Sequence, residues 1–125
     1  MKRIVTVVLL LAVAMGVTSS TAWAVEPQGK LSKARLHSLI VNAKTPADHQ
    51  KLANYYRYEA STLQASVKEH EEMAADYDKN PVMRPLPKFP NFGEHCRNLV
   101  KSYSEGVKEA NEMAAMHEEM ANAAK

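Results

Sequence analysis

The chain has 125 residues but a single cysteine, Cys96, with four glycines and six prolines. One cysteine excludes an internal disulfide scaffold. The scarcity of glycine and proline excludes a collagen-like fibre, and an apolar content of 46% excludes a disordered tail. Sixteen basic residues stand against fourteen acidic ones, so the chain is not a strongly basic nucleic-acid binder. Enzyme signatures are missing too. There is no Glu-x-x-His pair for a di-iron centre, no Cys-x-x-Cys-His for covalent haem, no phosphate-binding glycine loop and no Gly-x-Ser-x-Gly. The segment His70-Glu71-Glu72-Met73-Ala74 carries alanine where a zinc-protease helix needs its second histidine. The sequence therefore reads as non-enzymatic.

What is present begins with Lys2 and Arg3, an uncharged apolar run over residues 4–17, and a small polar stretch ending in Ala22-Trp23-Ala24. These are the three parts of a secretory signal peptide. The run is shorter than the roughly twenty residues of a membrane span, so residues 1–24 are expected to be cleaved after Ala24 rather than retained as an anchor. No cysteine lies at the cut to carry a lipid. The mature chain, residues 25–125, is then expected in the periplasm or outside the cell, without stable membrane insertion. Loss of Lys2 and Arg3 brings its charge near zero, and nothing argues for a DNA or anionic-membrane partner.

The mature chain reads as one all-α domain. A short helix is expected over residues 31–43, from the stripe Leu31, Leu36, Leu39, Ile40 and Ala43. Thr45-Pro46-Ala47-Asp48 has the form of a capping box with proline in the first turn. It opens a long helix expected over 46–79, which Pro81 stops. Residues 81–90 hold four prolines and read as an extended connector. Asn91, three before Glu94, opens a second long helix expected over 92–124.

The two long helices repeat one another. A step of 47 carries Leu52 onto Leu99, Tyr56 onto Tyr103, and His70-Glu71-Glu72-Met73-Ala74 onto His117-Glu118-Glu119-Met120-Ala121. A step of 46 carries Thr45, Asp48 and His49 onto Asn91, Glu94 and His95, as an inserted residue near the second cap would require. Folded as an antiparallel hairpin, the pair sets Leu52 against Ala114, Tyr56 against Ala110, Ala60 against Gly106, Leu63 against Tyr103 and Val67 against Leu99. Large then faces small in most layers. Two rods bury only one seam, which the short helix covers in part; a homodimer forming a four-helix bundle would cover the rest.

In that register His70 faces His95 and His49 faces His117, in two clusters about 30 Å apart. Met73 and Cys96 accompany the first, and Met113, Met120 and Asp48 the second. Imidazole with thioether or thiolate is a soft ligand set that suits copper, with zinc as the other candidate. The candidate metal ligands are therefore His49, His70, His95, His117, Met73, Cys96 and Met120. The competing readings are packed or pH-sensitive histidines, methionines that only fill the core, and a cysteine that is either a buried thiol or an intermolecular disulfide partner. Haem held between histidine and methionine is a further option. His37 reads as surface, and Glu59 as a buried acceptor for Tyr103.

The duplicated pattern, His49…Leu52-Ala53…Tyr56…His70-Glu71-Glu72-Met73-Ala74 and His95-Cys96…Leu99…Tyr103…His117-Glu118-Glu119-Met120-Ala121, resembles that of small exported bacterial helical-hairpin proteins. The resemblance covers roughly residues 45–124. It implies export and a helical hairpin, and it brings no activity with it. Two expectations follow: a metal-binding protein of the periplasm that uses paired seam histidines, or a structural and interaction module without metal.

Overall fold

The computed structural model describes residues 29–80, 82 and 91–123. Among them stand three helices and no strand: α1 (Lys33–Asn42), α2 (Pro46–Lys79) and α3 (Phe92–Ala123). α2 and α3 pack along one another as a long hairpin, and α1 packs against α2. The expected signal peptide, most of the connector and Ala124 lie outside the described residues.

Side-chain caps set the helix ends. Ser32 Oγ accepts a hydrogen bond from the Arg35 amide at 3.3 Å, so α1 starts at Lys33, two residues later than its apolar stripe suggests. Thr45 Oγ1 accepts from the Asp48 amide at 3.1 Å, and Asp48 Oδ2 accepts from the Thr45 amide at 3.2 Å. This closed capping box, with Pro46 in the first turn, starts α2 where the sequence placed it. At the start of α3, Asn91 Oδ1 accepts from the Glu94 amide at 3.1 Å.

The seam follows steps of four and three. On α2 the buried or half-buried positions include His49, Ala53, Tyr56, Ala60, Leu63, Val67, His70, Ala74 and Tyr77. On α3 they include Gly93, Cys96, Val100, Tyr103, Val107, Ala110, Ala114, His117 and Ala121. A mean step of 3.5 residues is the coiled-coil repeat, which keeps one stripe facing the partner along the whole length. The α3 side is the smaller: its buried residues are Gly93, Cys96, Ala110, Ala114 and Ala121, and these let α2 approach closely. A Cβ placed on Gly106 would stand 3.1 Å from Leu63 Cδ1.

The register differs from the expected one by about a turn of α3. Tyr77 stacks on Phe92, His70 on Tyr103 and Tyr56 on His117, while Leu63 lies against Gly106. The expected facing of Val67 with Leu99 fails for the same reason, since Leu99 is 40% exposed. The 3.5-residue stripe of α3 passes through Cys96 and Val100 and leaves Leu99 on its flank. Leu52, its sequence counterpart, is only 1% exposed, and it lies on the helix that α1 packs against.

The 47-residue step survives in three dimensions. It carries His49 onto Cys96, Ala53 onto Val100, Tyr56 onto Tyr103, Val67 onto Ala114, His70 onto His117 and Ala74 onto Ala121, from one seam to the other. An antiparallel pair of like helices has an approximate twofold axis across its middle. The stacks His70–Tyr103 and Tyr56–His117 are the two copies of one contact under this axis, with ring centroids 5.4 and 5.8 Å apart. The alternative step of 46, which matched His49 with His95, holds for the caps and not for the seam.

Candidate functional site

His49 lies in the first turn of α2 and His117 near the end of α3, so the antiparallel packing brings them together. Their Nδ1 atoms are 3.2 Å apart, and the rings lie at 23° to one another with centroids 5.4 Å apart. On its other side His117 stacks on Tyr56, 6° from parallel. At 3.2 Å the two nitrogens are within hydrogen-bond distance, and the tautomers decide which imidazole donates and which accepts. Burial, and then the neighbouring His49 ring, hold His117 below the ordinary histidine range. A neutral imidazole keeps a lone pair for a proton or a metal ion.

The polar groups nearby have other partners. Asp48 adjoins His49 in sequence, but its Oδ2 accepts from the Thr45 amide, from Thr45 Oγ1 at 2.8 Å and from the Lys44 amide. These bonds, led by the Thr45 side chain, hold its carboxyl below the usual range. Glu118, next to His117, pairs with Arg57 across the hairpin. Met113 is half-buried, and Met120 is 50% exposed.

At the other end the expected meeting of His70 with His95 is replaced by the stack of His70 on Tyr103. His95 is exposed beside a surface hollow that it lines with Asn91, Glu94 and Asn98. The reason is again the register: the α3 stripe passes through Cys96, so its neighbour His95 turns outward. Cys96 is a free thiol, only 5% exposed. Nδ1 of His70 is buried and has no hydrogen-bond partner. Met73 is 37% exposed and faces a shallow hollow with Asp76, Tyr77 and Asn80. Glu59 does not serve Tyr103. It accepts a hydrogen bond from Tyr55 one turn earlier on α2, and this pushes the Tyr55 hydroxyl up to about 12.

Of the seven candidate ligands, the structure therefore brings His49 and His117 into direct contact and leaves His95, Met73 and Met120 at the surface. Among the described residues no group of three or more His, Cys, Asp or Glu side chains is placed to hold a metal ion. Sequence reasoning missed the two tyrosines as ring partners of the histidines. The signal was available, because Tyr56 precedes His70 and Tyr103 precedes His117 by two heptads, which puts each tyrosine on the stripe of its histidine.

No helix among the described residues is long and apolar enough to cross a membrane. Comparison with protein-family models, with curated proteins and with solved structures finds no match to this chain.

Proposed function

We propose that this is an exported, non-enzymatic helical protein that binds copper or zinc through His49 and His117. The observation that carries the reading is the 3.2 Å separation of the two Nδ1 atoms. Two nitrogens on one tetrahedral zinc ion, each at about 2.0–2.1 Å, stand roughly 3.3 Å apart. The metal would take the place of the hydrogen bond, the donating imidazole carrying its proton on Nε2 instead of Nδ1, with little movement of either helix. Imidazole suits both zinc and copper. Two protein ligands leave the remaining positions to water or to a partner, which fits a protein that takes up and releases metal better than one that buries it. Export is supported by the basic start, apolar run and Ala22-Trp23-Ala24 of residues 1–24.

A ligand that binds only the folded state raises its melting temperature. At a hundred times the dissociation constant the gain is about 2.7 kcal/mol. For a domain of this size that is a shift of order 10 °C. Adding zinc or copper to the purified chain lacking residues 1–24 is expected to raise the melting point, and His49→Ala with His117→Ala to diminish the rise. An unchanged melting point in the wild type would overturn the reading.

The second reading is a structural or interaction module, a homodimer in its simplest form. The lack of a third ligand among the described residues favours it, as do Leu99, Met116 and Met120, which are apolar and exposed. Light scattering over a concentration series tests it, since a monomer at every concentration counts against the dimer.

A further inference from the structure

The approximate twofold axis has one more contact to account for. It carries the Tyr56–His117 stack onto the His70–Tyr103 stack. The same operation carries the positions of His49 and His117 onto those of Cys96 and His70. Under this axis the counterpart of His117 Nδ1 is His70 Nδ1. The first lies 3.2 Å from an imidazole nitrogen, and the second is buried without a partner. The 47-residue step thus sets a buried thiol at the other end of the seam, at the position that an imidazole holds at the first. A thiol ends one atom beyond Cβ and an imidazole reaches further, which accounts for the nitrogen left without its contact.

We infer that Cys96 and His70 form a second site for a soft metal ion, a thiolate–imidazole pair near the connector end of the hairpin. A bound ion makes up the difference in reach: Zn–S is about 2.3 Å, against about 2.0–2.1 Å for Zn–N. The thiolate makes this site softer than the one at His49 and His117, so it prefers copper(I) among the metals that both accept. Binding releases the thiol proton and strengthens as the pH rises. Tyr103 covers one face of the His70 ring as Tyr56 covers that of His117. The inference goes beyond the first site and does not need it, because it stands on the axis and on the orphaned nitrogen.

Cobalt(II) tests it, since a thiolate ligand gives cobalt an intense near-ultraviolet charge-transfer band and imidazoles do not. The reduced chain lacking residues 1–24, titrated anaerobically with cobalt chloride, is expected to develop this band, complete by two equivalents. The double variant His49→Ala, His117→Ala is expected to keep it, which separates the two sites. Cys96→Ser is expected to lose it, and His70→Gln to weaken binding at least about tenfold. Because both positions are in the seam, helicity is measured alongside, and Cys96→His in the double-variant background supplies a protein that needs no thiol. That protein is expected to bind cobalt without the charge-transfer band. No band in the wild type, a band unaffected by His70→Gln, or no cobalt binding by the folded Cys96→His protein would each overturn the inference.

Discussion

Nδ1 of His49 and Nδ1 of His117 are 3.2 Å apart, although 68 positions separate the residues in the chain. The contact depends on the antiparallel packing of α2 and α3 and on a shared seam repeat of 3.5 residues. Its acid–base behaviour follows from the surroundings of His117.

Burial and the His49 ring lower the pKa of His117 from 6.5. Well above that value the ring is neutral in both the folded and the unfolded chain, and stability does not depend on it. As the pH falls through 6.5 the unfolded chain takes up the proton first, so stability declines until the folded ring also protonates. Melting points are expected to be level above about pH 7.5 and to fall below pH 6.5, with a shallower fall in His117→Asn. The Asp48 carboxyl, lowered from 3.8, contributes at a separate and more acidic step, where its share is lost as the pH drops through its folded value. Equal acid sensitivity of wild type and His117→Asn between pH 7 and 5 would contradict the assignment.

Leu52 and Leu99 are sequence equivalents with different surroundings, 1% and 40% exposed. Leu52→Ala is expected to cost about 2–5 kcal/mol and Leu99→Ala about 1 kcal/mol or less, read from urea unfolding. Equal losses would mean that α3 is rotated toward the register in which Leu99 faces Val67.

The capping box at Thr45 is a local contribution independent of the seam. Thr45→Ala removes the acceptor for the Asp48 amide and the hydroxyl that donates to Asp48 Oδ2. A loss of about 1 kcal/mol is expected. Calorimetry would show it as a drop of about 4–8 °C in the melting point.

Two glycines of α3 separate tolerance from close approach. A Cβ on Gly106 would meet only the end of the half-buried Leu63 side chain, at 3.1 Å, and Leu63 can rotate away. Gly106→Ala is therefore expected to be neutral, or stabilising by up to about 1 kcal/mol through helix propensity. On Gly93 a Cβ would fall 2.7 Å from Asp78 Oδ1 and 3.4 Å from the Ala74 carbonyl oxygen. The Asp78 carboxylate pairs with Arg97 at 2.9 Å, so Gly93→Ala shifts an exposed ion pair and is expected to be less favourable than Gly106→Ala. Chemical denaturation of the two variants should give this order.

Much of the fold was legible because it is written locally. Thr45-Pro46-Ala47-Asp48 fixes the start of α2, Pro81 its end and Asn91 the start of α3, and each acts within a few residues. The duplication also pointed to a hairpin. The register was not legible, because it depends on which of several neighbouring residues share the seam. Leu99 is the larger apolar residue and took the place that belongs to Cys96 and Val100. That one-turn error paired His70 with His95 and hid the two stacked tyrosines. The contact of His49 with His117 survived it because histidine side chains reach further than one seam layer. The sequence sets Glu59 near the seam edge, within range of Tyr103, but Tyr55 one turn away on the same helix is the shorter reach.

The claim on which the functional reading rests is that His49 and His117 act together on one ion. Long-range proton–nitrogen NMR of the histidine side chains, followed through a zinc titration, tests it most directly. The Nδ1 signals of His49 and His117 are expected to move together and to saturate at the same zinc level, while those of His37 and His95 stay in place. Zinc that shifts His95 together with His70, or His49 without His117, would contradict the account.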